Sequence, residues 1–243
     1  MKDDWKFIAG AFLAAIFPRQ CPFCGRVIGF RTNCPACWKA SRAWELPDAV
    51  LDPKNHYFGQ LQGAAALYQY KGKVRSAILQ MKYERQPWYG WDLGCGLAKG
   101  LLDCTFHRKY GIILPEPVPG IADYWDVIVP VPASSKARGY NVPYLLAKPL
   151  SYATGLPIQP EALQRIRHEK RQAGLSLGER LANTLHAFTP ADGCDVAGKR
   201  VLLVDDVITT GSTVAACAEA LLSAGAESVY AVALASSQPQ AEQ

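Results

Sequence analysis

Residues 201–213 read Val-Leu-Leu-Val-Asp-Asp-Val-Ile-Thr-Thr-Gly-Ser-Thr, and no other stretch of the chain restricts the fold as tightly. Val201, Leu202, Leu203 and Val204 form a continuous apolar run, the pattern of a parallel strand buried on both faces. Two carboxylates, Asp205 and Asp206, follow at the expected carboxyl end of that strand. A small hydroxyl-rich turn, Thr209-Thr210-Gly211-Ser212-Thr213, then leads into a helix expected over residues 214–224. In open α/β sheets, ligands bind beyond the carboxyl ends of the strands. A turn of this composition at a helix N-terminus offers backbone N–H groups, hydroxyl donors and the positive end of the helix dipole to a phosphate. Carboxylates suit hydroxyls and repel phosphates. The combination therefore points to a sugar phosphate, with the acidic pair on a diol and the turn on the phosphate.

Two other readings compete. One is an ordinary buried strand followed by a polar loop, which leaves the adjacent aspartates and the hydroxyl turn unexplained. The other is the acidic strand of a nucleotide hydrolase, which needs a G-x-x-x-x-G-K-[ST] phosphate loop. Gly193 to Lys199 approaches that pattern, but Arg200 stands where the magnesium-binding hydroxyl belongs, and the segment precedes the strand instead of following one.

The 13-residue stretch closely resembles the 5-phosphoribosyl 1-pyrophosphate (PRPP) signature of type I phosphoribosyltransferases. The resemblance implies that Asp205 and Asp206, the candidate catalytic carboxylates, accept hydrogen bonds from the ribose hydroxyls. It implies that Thr209, Thr210, Gly211, Ser212 and Thr213 cradle the 5′-phosphate.

The chain has 243 residues, enough for one substantial core and a small appendage. Its 49% hydrophobic and 19% charged content is that of a globular protein, and its net charge of +5 suits phosphorylated ligands without proving them. No apolar run reaches the ~18 residues of a membrane-spanning helix. Trp5 to Phe17 is apolar, but Asp3 and Asp4 precede it, and Pro18-Arg19-Gln20 follows in place of a small-residue cleavage site. A helix packed on the protein is expected there, with a cytoplasmic location and reduced cysteines.

Four of the eight cysteines form a pattern, Cys21-Pro-Phe-Cys24 and Cys34-Pro-Ala-Cys37. Two C-x-x-C pairs can grip one Zn²⁺ from both sides, and four thiolates close the shell, so this metal would be structural. Gly25 suits the tight turn after the first pair. Cys95, Cys104, Cys194 and Cys217 show no such spacing and are expected as small core residues.

Along the chain, residues 1–20 are expected as a helix and 21–40 as a zinc-ribbon-like module. Residues 41–62 carry Pro47, Pro53, Asn55 and Gly59 and look like a linker. A strand is expected over 63–70, helices over 73–83 and 93–105, and a loop over 116–120. The core then alternates: strand 126–130, a small basic loop, helix 142–153, a short strand within 157–164, a basic loop 165–174, helix 177–185, strand 200–205, its helix, and strand 228–235. This alternation predicts an α/β fold, a parallel sheet flanked by helices on both faces.

The loop after strand 126–130 contains Ser134, Ser135, Lys136 and Arg138, small and basic residues suited to a pyrophosphate. Val129-Pro-Val-Pro132, Arg138-Gly-Tyr-Asn141 and Leu145-Leu-Ala147 resemble a pattern of the competence protein ComF family. So do Arg165, Gln172, Leu175, Arg180 and Asn183, and Tyr68-Gln-Tyr-Lys-Gly72 with Met81-Lys-Tyr83. A four-cysteine module before a phosphoribosyltransferase-like domain is that family's arrangement too. The likeness covers about residues 17–235; Val142-Pro143 departs from the family's usual Gln-Ala. It implies four parts: helix and zinc module (1–40), linker and hood-like region (41–120), phosphoribosyltransferase-like core (121–235) and a flexible tail (236–243). In related transferases the segment corresponding to the basic loop is a flexible loop that closes over PRPP; chemically, Arg165, Arg167, Lys170 or Arg171 can neutralise the departing pyrophosphate, and Arg165 and Arg171 are the candidates.

PRPP with Mg²⁺ is thus the expected ligand, and pyrophosphate loss to an unidentified acceptor the expected chemistry. No segment reads as a nucleobase pocket. The ComF resemblance implies a role in natural transformation instead, as a module handling single-stranded DNA. Trp5, Trp38, Trp44, Trp88, Tyr89 and Trp91 are then candidate stacking surfaces, and DNA-uptake proteins and a second copy of the chain are candidate partners. A purely structural metal scaffold is the remaining class.

Overall fold

The computed structural model describes residues 18–29, 34–109, 112–166 and 187–237. The expected helix over 177–185, most of the 165–174 loop and residues 1–17 of the expected 1–20 helix lie outside them; residues 18–20 are not helical, with Gln20 bridging to Val27.

The centre is a sheet of four parallel strands in the order β1-β8-β7-β4. These are β1 (Gly63–Gln69), β4 (Val127–Pro130), β7 (Arg200–Ile208) and β8 (Ser228–Ser236). Their apolar runs lack polar alternation because both faces are covered. Val201 and Leu203 point to one face, where they pack with Val214, Ala218 and Leu221 of helix α5 (Ser212–Ser223). Leu202 and Val204 point to the other, into a core with Ile78, Leu97 and Leu146. Those side chains come from α2 (Gly72–Tyr83), α3 (Tyr89–Leu102) and α4 (Val142–Thr154). The expected helix-flanked parallel sheet is the fold.

Three departures matter. The strand expected to end at Asp205 runs on to Ile208, because Val207 and Ile208 continue the parallel pairing with Ala235 and Ser236 of β8. The acidic pair therefore sits inside the strand. The segment 157–164 splits: Ile158 bridges in parallel to Ile128 beyond β4, whereas Leu163–Arg165 (β5) pairs antiparallel with Phe188–Pro190 (β6). An unexpected hairpin joins β2 (Phe106–Lys109) to β3 (Ile112–Pro115).

Residues 45–51 lie along β1, where Leu46 N–H donates to Leu67 O at 2.9 Å and Leu51 N–H to Ala64 O at 2.8 Å. They cover the edge that β1 would otherwise expose. The strand drawn from this early part of the chain thus belongs to the same sheet as β4, β7 and β8.

Glycines set the approach of α3. A Cβ on Gly94 would lie 2.8 Å from both the Leu146 carbonyl oxygen and Pro149 Cγ of α4. Because the obstacle is partly backbone, it cannot swing aside. Gly94→Ala is expected to cost about 1–3 kcal/mol through overpacking and to lower the melting temperature by ~2–10 °C. Thermal unfolding followed by circular dichroism checks this; an unchanged midpoint would contradict the close packing.

Candidate functional site

β4 and β7 are adjacent and parallel, yet their outgoing crossovers part. The chain leaving β4 passes through α4 on one face, and the chain leaving β7 passes through α5 on the other. Parting crossovers open a crevice at the carboxyl ends of the two strands, the usual ligand position in such sheets. Both loops singled out in the sequence border this crevice.

The first is the turn after β7. Gly211 has φ +84°, and a Cβ there would lie 2.4 Å from the Tyr57 carbonyl oxygen. Only glycine fits. Tyr57 N–H donates to the Thr210 carbonyl at 2.7 Å, so residues 52–58 brace the turn from outside. His56 sits beneath, its Nε2 3.1 Å from Ser236 Oγ, which donates to the Ile208 carbonyl at 2.8 Å. Thr210 Oγ1 and Ser212 Oγ are 2.9 Å apart, and helix α5 begins at Ser212 with its first N–H groups facing the turn. Asp205, Thr209, Gly211 and Thr213 line one small cleft. The turn presents hydroxyls and helix-end N–H groups to a small cleft that has a carboxylate on its wall.

Successive residues of a strand face opposite ways, and the two aspartates split accordingly. Asp205 follows the direction of Leu203, toward α5. Asp206 follows Val204, toward α2. Both are buried, at 7% and 6% exposure. Asp205 Oδ1 accepts the Asp206 N–H at 2.8 Å. Asp206 Oδ1 meets Lys82 Nζ, from the last turn of α2, at 2.5 Å.

Burial, and then the neighbouring Asp206 charge, pushes the Asp205 carboxyl well above the ordinary carboxylate range. Burial raises Asp206 too, against the pull of Lys82 and Arg138. The site therefore carries an electrostatic cost that an apolar strand would not.

The second loop, after β4, is tied to the same helix end. Arg138 Nε donates to the Lys82 carbonyl at 2.7 Å, with its guanidinium 5.8 Å from the centre of the Tyr83 ring. Tyr140 Oη donates to the Met81 carbonyl at 2.5 Å, and Asn141 Nδ2 to the Val131 carbonyl at 3.0 Å. Ser134 and Ser135 are exposed on this loop, and Lys136 opens a short 3₁₀ turn. Arg165, at the end of β5, lies over the Phe188 ring at 4.7 Å and close enough to Asp205 to favour its charged form. Arg171 lies outside the described residues. The structure thus gathers Asp205, Asp206, residues 209–213, Arg138 and Arg165 from the expected set. It adds Lys82, which sequence reasoning passed over. In the sequence Lys82 stands only within the Met81-Lys-Tyr83 resemblance, with no role in the site given to it.

A separate cluster stands at the front of the chain. The Sγ atoms of Cys21, Cys24, Cys34 and Cys37 all lie within 4.8 Å of one another. Cys24 and Cys34 Sγ are 3.8 Å apart, the edge of a tetrahedron with metal–sulfur bonds of about 2.3 Å. Burial pushes the Cys21 thiol up to about 11 and raises Cys37 further, whereas the Arg26 backbone N–H lowers Cys24 to about 7. Four thiols crowded this closely, three of them buried and Cys24 exposed, fit a bound cation, which would stabilise their thiolates. Phe23 couples the module to the core through edge contacts with Trp44 at 5.1 Å and Tyr68 at 6.1 Å. Of the other cysteines, Cys95, Cys104 and Cys217 are buried and Cys194 is half-buried.

Asp205 yields a pH test. With its folded value raised, the stability it permits is complete below the unfolded value of about 4 and is lost as pH rises through the folded value. Asp205→Asn keeps the acceptor for the Asp206 N–H and removes the charge. It is expected to raise the melting temperature by about 5 °C at pH 8, the gain shrinking toward pH 4.5. Thermal scans of the ligand-free protein across that range decide it; a loss of stability at pH 8 would contradict the cost assigned to Asp205.

Residues 121–243 match the family described as phosphoribosyl transferase domain. The chain is 32% identical to DNA utilization protein YhgH of Escherichia coli (strain K12) over 215 residues, covering 86% of each chain. It is 30% identical to DNA utilization protein YhgH of Salmonella typhi over 213 residues, again covering 86% of each. It is 29% identical to Competence protein F of Haemophilus influenzae over 224 residues, covering 90% of this chain and 85% of that one. The cradle, the acidic strand and the four-cysteine module thus stand in a chain that belongs to the competence protein F family, with a phosphoribosyl transferase domain as its core.

Proposed function

We propose that the crevice between β4 and β7 binds PRPP together with Mg²⁺. The observation that carries this reading is the anion cradle at Thr209–Thr213 with the buried Asp205 carboxylate at its wall. In the proposed complex the 5′-phosphate takes N–H and hydroxyl donors from residues 209–213. Asp205 and Asp206 accept from the ribose hydroxyls. Arg138, with Ser134, Ser135 and Lys136 on the same loop, and Arg165 meet the pyrophosphate; Arg171, outside the described residues, is assigned the same role from the sequence alone. Among the described residues three cations, Lys82, Arg138 and Arg165, act on the two carboxylates, a positive balance that suits a polyanion. Asp206 is already paired with Lys82, so the chain offers Mg²⁺ few oxygens. The cation would arrive on the pyrophosphate and be held by ligand oxygens and water.

If the ligand reacts, C1 of the ribose loses pyrophosphate and gains positive character. The chain need supply no nucleophile. Its contribution is to fix the ring, neutralise the departing oxygens and exclude water. A second reading keeps the PRPP site and omits transfer: the protein handles single-stranded DNA, as the names of its relatives suggest. It is favoured by the exposed Tyr83 and Trp88, at 72% and 54% exposure, with Tyr83 beside Arg138 at the rim.

Calorimetry with Mg²⁺ and PRPP tests the site. Wild type is expected to bind, and Gly211→Ala and Asp205→Asn/Asp206→Asn to lose at least tenfold in affinity; equal affinity in all three would refute the placement. Pyrophosphate release across a panel of nucleobases and amines tests transfer. Silence there, with salt-sensitive binding of single-stranded DNA, supports the second reading.

The four-cysteine cluster is proposed to hold one structural Zn²⁺ per chain. Metal analysis is expected to find about one equivalent, absent from Cys21→Ser/Cys24→Ser, whose melting temperature falls; full metal content in that variant would refute the ligand set.

A further inference from the structure

Lys82 lies outside the segment that matches the phosphoribosyl transferase domain, yet it makes the closest contact to the acidic pair. Its Nζ is 2.5 Å from Asp206 Oδ1, across a separation of 124 residues. The side chain is 21% exposed and that of Asp206 8%. Lys82 does not hang freely at this point. Its carbonyl accepts Arg138 Nε, and the preceding carbonyl, of Met81, accepts the Tyr140 hydroxyl. The last turn of α2 is therefore clamped to the loop after β4, and the ammonium can reach the strand from one direction only.

Asp206 faces away from the apolar wall that covers Asp205 and toward this turn. Without a cation, a carboxylate at that position would be a buried charge beside a second one. It would take up a proton, and a protonated carboxyl accepts a ligand hydroxyl poorly. We propose that Lys82 is a positioning residue of the sugar-phosphate site: by pairing with Asp206 across α2 and β7 it holds that carboxylate ionised and in one orientation for the ligand. The part of the chain before the matched domain is then a component of the site. This role rests on the PRPP reading only for the identity of the ligand; the pairing itself can be tested without one.

Among the described residues, the charged and titratable groups around Asp206 are few. Asp205 precedes it on β7, with the buried Cys217 of α5 near Asp205. Lys82 faces it from α2, Arg138 from the loop after β4, and Arg165 acts on Asp205 from β5. Removing Lys82 leaves Arg138 as the nearest cation, and Arg138 is engaged with the Lys82 backbone. Asp206 then behaves as a carboxyl whose folded value is further raised, so the stability deficit of the variant must grow as pH rises.

The experiment is a double-mutant cycle on the full chain without ligand. Lys82→Met keeps the aliphatic stem and is expected to lower the melting temperature by several degrees at pH 8, and by less at pH 5.5. In the Asp206→Asn background the same change is expected to have almost no effect. Should Lys82→Met fail to fold, its recovery by Asp206→Asn is the same result in stronger form. Lys82→Arg is expected to match wild type. Equal, pH-independent losses with and without Asp206 would overturn the proposal and leave Lys82 a packing residue. In a second arm, Lys82→Met binds Mg²⁺ and PRPP at least tenfold more weakly at pH 7.5, and Lys82→Arg within threefold of wild type; undiminished binding by Lys82→Met overturns the role in ligand positioning. If wild type itself fails to bind PRPP, the ligand assignment falls while the ligand-free cycle still decides the role of Lys82.

Discussion

Everything at the site depends on two adjacent carboxylates being held inside a central strand. A strand buried on both faces ordinarily excludes charge, since each ionised group loses its hydration there. Here Asp205 and Asp206 are tolerated because the strand runs into the crevice where the crossovers part, and because cations gather from three other elements. The apolar run Val201 to Val204 anchors the strand; the next two residues give back part of that stability. Such an arrangement persists in proteins when the groups act on a ligand.

The two halves of the crevice are braced differently. The turn after β7 is held by backbone: Tyr57 against Thr210 and Gly211, with His56 and Ser236 beneath. The opposite loop is held by side chains, Arg138 and Tyr140, on the carbonyls of one helix end. Backbone bracing fixes a shape that only glycine can take at residue 211. Side-chain bracing allows the loop to adjust while keeping its cation near the acidic pair.

Much of the core was legible because its chemistry is local. Apolar runs marked β1, β4, β7 and β8, and the stripe Val74, Ala77, Ile78 and Met81 marked α2. The end of β7 was misplaced because Asp205 and Asp206 look like a strand terminus, when the pairing of Val207 and Ile208 with β8 carries the strand past them. Residues 45–58 read as a linker because Pro47, Pro53, Asn55 and Gly59 resemble loop composition. Their work is done by backbone groups, which leave no residue-type signature. The hairpin at 106–115 was missed for a related reason: Phe106–Lys109 is mostly exposed and lacks alternation. Lys82 and Asp206 could not be paired from a single sequence, since nothing local links positions 124 residues apart. The cysteines and the turn at 209–213 were the opposite case, with residue type and spacing alone placing them together.

The strand order has a consequence for how the chain is made. β8 lies between β7 and β1, so residues 228–236 are hydrogen-bonded to both neighbours. They are also synthesised after the other three strands of the sheet. Until they emerge from a ribosome, β1 has no partner on its inner side and β7 is bare along one edge. The sheet closes from its middle, with the strand made last among the four, over a separation of more than 150 residues. Topology of this kind folds slowly and exposes strand edges while it waits. A chain interrupted shortly before Ser228 would lose its central strand and, with it, the support beneath Ile208 and the phosphate turn, although every residue of the cradle would already be present.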